Sequence, residues 1–144
     1  MNDTWIPPPV TTTNRPSPRA GADPSLRPGA RLDTFEIQRV IARSSSTIVY
    51  LAADHTLAMP VAIQEYLPAR LVERSADQHL RAVDTWHEEV VARGRRAFID
   101  ETRMLAHCDH PALLRISHLR EANGTAYRVM PFYRGQTCST CAAR

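Results

Sequence analysis

Three runs rich in β-branched and aromatic residues, TFEIQRVIA, TIVYLAA and MPVAIQEY, follow one another between Thr34 and Tyr66 with only short turns between them. Parallel neighbours need a crossover of a dozen or more residues, so links this short force antiparallel hairpins. The expected unit is a three-stranded meander. Phe35 and Ile37 alternate as one face of a strand should, and the alternation slips by one before Val40 and Ile41. Arg43–Ser46 supplies the first turn, and Ala53–Pro60 holds the second.

Beyond the meander the period changes. Thr85, Trp86, His87 and Glu88 have capping-box form, which predicts a short helix to about Arg93, interrupted at Gly94. In RRAFIDETRMLAHC, Phe98, Glu101, Thr102 and Leu105 recur at helical spacing and mark one face of a main helix. Glu101 is the odd member of that face, because a carboxylate turned inward needs a partner. Asp109-His110-Pro111 ends the helix, since the residue before proline avoids the helical region. Two more strand-like runs then flank Asn123-Gly124, the strongest short hairpin signal. The predicted order is β-β-β-α-α-β-β. The fold class is α+β: a five-stranded antiparallel sheet with one main helix plus a short helix.

Seven of the eleven prolines fall before Leu32. Proline removes backbone donors and fixes φ, so residues 1–31 read as a Pro-rich disordered tail, a spacer or a ligand through WIPPPV. Residues 32–137 are the folded domain and 138–144 a C-terminal tail. The three cysteines, Cys108, Cys138 and Cys141, are an odd number and suit reduced thiols. A single Cys-x-x-Cys pair is half of a structural zinc site, so no metal is expected. All 18 basic residues are arginine, scattered from Arg15 to Arg144 among 15 acids. No basic stripe forms, and nucleic acid is not expected as a partner. No apolar run is long enough to span a membrane and no secretory leader is apparent, so the expected location is cytoplasmic.

The order of elements, together with IVYLA, VAIQEYLP, FIDETRMLA, HPALLRI and NGTAYRVMPFYRGQT, resembles the N-terminal lobe of protein kinases. The similarity runs from about Leu32 to Thr137. It is closest to a bacterial serine/threonine subgroup with a K-E-Y-L-P third strand and a long insert before the main helix.

The resemblance implies a nucleotide site, and several of its positions depart from the family pattern. Aligned on Val49, the three glycines of the phosphate-covering loop fall on Ala42, Ser44 and Thr47, each of which carries a Cβ. The third-strand lysine falls on Gln64, which can donate a hydrogen bond but has no charge. Its helix partner falls on Glu101. A Gln64–Glu101 hydrogen bond is therefore expected in place of an ion pair, with loss of a gross Coulomb contribution of roughly 4 kcal/mol at 4 Å and an effective dielectric near 20. The chain holds no lysine at all, and Arg43, in the loop turn, is the one basic residue with the reach to approach the phosphate space. Val49 and Ala62 match the residues that sandwich adenine, Met130 the gatekeeper, and Pro131 and Tyr133 the hinge carbonyl and N–H.

The sequence contains no H-R-D and no D-F-G, so the resemblance assigns no catalytic base and no magnesium ligand. No cofactor is expected, with ATP bound weakly at most. The expected role is a catalytically inactive, pseudokinase-like lobe that regulates or binds another protein. The alternative is the ATP-binding half of a serine/threonine kinase that needs a separate C-lobe.

Overall fold

The computed structural model describes residues 23–108 and 115–133. Expectations for the Pro-rich segment before Asp23, for His110-Pro111 and for Cys138 and Cys141 lie outside those residues.

The elements run β1 (Arg31–Leu32), β2 (Phe35–Arg43), β3 (Thr47–Asp54), β4 (Met59–Tyr66), β5 (Val72–Arg74), β6 (Leu80–Ala82), α1 (Thr85–His107), β7 (His118–Ala122) and β8 (Thr125–Pro131). The main sheet has the order β1-β2-β3-β4-β8-β7, and every adjacent pair is antiparallel. It has six strands rather than the five expected. The extra one is β1, two residues that pair Arg31 with Glu36 and Leu32 with Phe35. A strand that short has no readable period. The predicted meander is β2-β3-β4, and the slip after Ile37 is real: the β2–β3 register shifts between Ile37 and Arg39 and again between Val40 and Ala42.

The insert before the helix forms its own two-stranded sheet, β5-β6, which the sequence reading missed. Val72 and Leu80 bury their side chains in the main core beside Ile37, Ile48, Ile63, Tyr127 and Val129. Packing also starts earlier than the Leu32 expected from the proline count. Leu26 is buried in the same core, and its N–H donates to the Tyr50 hydroxyl at 3.0 Å.

The carboxylate of Glu65 organises this side of the sheet. It has no exposed surface, accepts from the Tyr50 hydroxyl at 2.6 Å and pairs with Arg74 at 2.5 Å. Arg74 also donates to the carbonyls of Pro24 and Gln78. Burial pushes the Glu65 carboxyl upward, and the Arg74 guanidinium and Tyr50 hydroxyl oppose that shift. Burial, and then the charge of Glu65, raise the Tyr50 phenol, which stays a donor.

The two expected helices are one. Gly94 lies inside α1, not at a break. A Cβ at this position would run into the hydroxyl and ring of Tyr66, so the glycine is there to let β4 approach the helix. The cap is Asp84 rather than Thr85: its carboxylate accepts from His87 N–H at 3.0 Å. Phe98, Ile99 and Thr102 are the buried residues of α1, and Phe98 and Ile99 pack on Tyr66 and Ala126. Asn123 and Gly124 both take positive φ, 54° and 72°, as the expected Asn-Gly turn requires.

Two variants test this packing. Gly94→Ala gains helix propensity of about 1 kcal/mol, yet the collision with Tyr66 makes it net destabilising by about 1–2 kcal/mol. Thermal melts should show the loss, and a Tyr66→Leu background should remove most of it. Arg74→Met should cost about 3–5 kcal/mol in urea titration by stranding a buried carboxylate. Glu65→Leu combined with Arg74→Met should cost less than Arg74→Met alone.

Candidate functional site

Side chains opposite one another on antiparallel strands share a face. Val49 pairs with Gln64, Gln64 with Arg128, and Ala62 with Met130. These residues, with Ala42 opposite Val49, line the sheet face on which α1 sits. The register thus brings together Val49, Ala62 and Met130, which the resemblance implied as ring contacts, and Gln64, at the position implied for the lysine. Pro131 is half-buried and pairs with Val61, while Tyr133 is exposed beyond the end of β8.

The β2–β3 turn closes on itself. Ser44 N–H donates to the Thr47 carbonyl at 2.8 Å, Thr47 N–H donates to Ser44 Oγ at 3.1 Å, and the two hydroxyls are 2.8 Å apart. The N–H of Ser44, at a glycine position of the family's loop, is therefore already committed, as is that of Thr47. In a glycine-rich loop such groups stay free to meet phosphate oxygens.

The amide of Gln64 is engaged on both sides. Its Nε2 donates to Thr47 Oγ1 at 3.1 Å, and its Oε1 accepts from Arg128 Nε at 2.7 Å. The amide orientation follows from chemistry, since a guanidinium has only donors and must face the oxygen. Arg128, rather than Gln64, approaches Glu101, with Nη1 at 3.7 Å from Oε2. The expected Gln64–Glu101 hydrogen bond is therefore replaced by a contact through a third residue. Glu101 stands at the edge of the helix face, its side chain 54% exposed, whereas that of Arg128 is 7% exposed.

Arg128 is the site residue that sequence reasoning missed. It sits between Tyr127 and Val129 and is the one charged residue of its strand. A lone charge in an otherwise uncharged strand-like run was the available signal. Its guanidinium lies over the Phe98 ring at 4.8 Å from the centroid, and Nη1 is buried without a hydrogen-bond acceptor. Burial lowers its pKa from the ordinary guanidinium value and Glu101 opposes that shift, so it stays charged.

Arg43, expected near the phosphate space, turns elsewhere. It pairs with Asp23 through two hydrogen bonds, at 2.8 and 3.2 Å. A concavity of about 430 Å³ lies against this N-terminal segment, lined by Asp23, Ser25, Leu26, Arg27, Arg74, Ser75, Ala76 and Gln78, and not by the candidate site. Among the described residues no cluster of three or more His, Cys, Asp or Glu could hold a metal. Among them, too, no helix is long and apolar enough to cross a membrane.

An antiparallel sheet with one long helix packed across the face that carries the third-strand motif is the architecture of a protein-kinase N-terminal lobe. Comparison with solved structures agrees. The chain is similar to a structure described as the apo form of PpkA-294, at 38% identity with a TM-score of 0.76, over 84% of this chain and 43% of that one. Two structures of the Mycobacterium tuberculosis PknI kinase domain share the fold at 21% and 22% identity, with TM-scores of 0.53 and 0.55, over 83% of this chain. This chain spans 40–43% of the length of these structures. No protein-family model and no curated protein matches the chain. The chain thus has the fold of a protein-kinase N-terminal lobe, similar to that of bacterial serine/threonine kinase domains.

The Arg43–Asp23 pair has a pH signature. The hydrogen bonds from Arg43 hold the Asp23 carboxyl down at about 2. A depressed carboxylate stabilises the fold above its unfolded pKa and loses that contribution as pH falls through the folded one. Both side chains are about half exposed, so Arg43→Ala should cost less than about 1 kcal/mol at pH 7. The difference between wild type and variant should shrink between about pH 4 and pH 2 in denaturant titrations.

Proposed function

We propose that this chain is a regulatory, kinase-like lobe that acts by binding another protein and does not catalyse phosphoryl transfer itself. The observation that carries the reading is the Gln64 amide. At the position where the family places a lysine stands a neutral amide whose nitrogen donates to Thr47 and whose oxygen accepts from Arg128, so this side chain brings no positive charge to a phosphate. The fit to a nucleoside triphosphate is therefore divided. Val49, Ala62 and Met130 suit an apolar ring, while Ala42, Ser44 and Thr47 bring side chains, and committed N–H groups, to where phosphates would lie. We place the protein in the cytoplasm, in keeping with its odd cysteine count.

A second reading is favoured by the ring positions alone: the ATP-side half of a serine/threonine kinase that works with a separate C-lobe. One experiment separates the two. Melting of the full chain should be unchanged by Mg-ATP or adenosine at low millimolar concentration, because ligands stabilise only in proportion to occupancy. A rise of several degrees with Mg-ATP would overturn the first reading and support the second, and a smaller rise with adenosine would assign part of it to the ring positions.

A further inference from the structure

We propose that Arg128 does, from β8, the helix-holding work of the family's third-strand lysine, so that the β2–β3 turn and α1 are coupled through Gln64 and Arg128 with no nucleotide between them. This goes beyond the protein-binding reading and holds whether or not a partner binds.

The contacts form an unbroken series. Ser44 Oγ meets Thr47 Oγ1 at 2.8 Å, Thr47 Oγ1 accepts from Gln64 Nε2 at 3.1 Å, and Gln64 Oε1 accepts from Arg128 Nε at 2.7 Å. The guanidinium then reaches α1 at two points one helical turn apart, the face of Phe98 and the carboxylate of Glu101. Gln64 and Arg128 are direct cross-strand partners, so the positive charge has moved by one strand while staying on the same face. Glutamine suits this position because its oxygen accepts from the guanidinium while its nitrogen still donates to Thr47. A lysine at position 64 would set a second cation against Arg128. The two arrangements, Lys on β4 or Arg on β8, therefore exclude each other.

The buried, acceptor-free Nη1 of Arg128 fits this role. The acid facing it is Glu101, half exposed at 3.7 Å. A small movement of that side chain closes the pair, and no exogenous anion is needed for the charge to find a partner.

The test is hydrogen exchange of the full chain without nucleotide, comparing wild type, Arg128→Met, and Arg128→Met combined with Gln64→Lys. Methionine keeps an apolar stem over Phe98 and removes the charge. Arg128→Met should exchange roughly tenfold faster in the middle turns of α1 and at Ser44–Thr47, the scale of one lost charge-assisted hydrogen bond. Adding Gln64→Lys should restore protection in α1, because the new ammonium can meet Glu101. Unchanged exchange in α1, or loss that Gln64→Lys does not reverse, would mean that Arg128 only fills space, and would overturn the proposal. If Arg128→Met does not fold, Thr47→Val serves: faster exchange in α1 as well as in the turn supports the coupling, and a response confined to the turn overturns it.

Discussion

Glu65 is the constraint around which the rest of the lobe is arranged. A carboxylate with no exposed surface is costly unless it is paired and hydrogen-bonded. Here its partners come from separate parts of the chain: Tyr50 from β3 and Arg74 from β5. Arg74 in turn holds the carbonyl of Pro24, and Tyr50 holds the N–H of Leu26. The insert hairpin and the segment before β1 are thus secured to the sheet by one buried charge. Neither could leave without exposing a group that the core cannot accommodate. The opposite face of β4 is thereby left to α1.

That division explains the two polar systems of the molecule. Successive residues of β4 point to opposite faces, so Gln64 and Glu65 serve different networks although they are neighbours in sequence. Glu65 holds β5 and the segment before β1 to the sheet. Gln64 joins the β2–β3 turn to Arg128 and so to the helix. Both use an arginine from another strand as the donor. A planar guanidinium suits this work, since it offers five N–H groups in fixed directions and stacks on an aromatic ring with its flat face.

Much of this was legible before any coordinates. The β2-β3-β4 meander followed from strand spacing, the turn at Asn123-Gly124 from its dipeptide, and the face of α1 from Phe98 and Thr102. What escaped did so for physical reasons. β1 and the β5-β6 pair are two and three residues long, too short to show a period. Gly94 looked like a helix break because its function is set by Tyr66, twenty-eight positions earlier in the chain and invisible to local pattern. The hydrogen bonds that join the residues of the candidate face were not readable. Whether Gln64 would meet Glu101 depended on which residue of β8 stood beside it, and only the register shows that to be Arg128.

The replacement of an amine by a guanidinium has a chemical consequence. An ε-ammonium in a cleft loses its proton in alkali, and once neutral it is open to acylating reagents and to Schiff-base formation. The guanidinium of Arg128, though burial lowers its pKa, stays protonated and is a poor nucleophile. No strand of this lobe offers an amine, so reagents that mark a kinase cleft through its lysine would pass over this one without reaction.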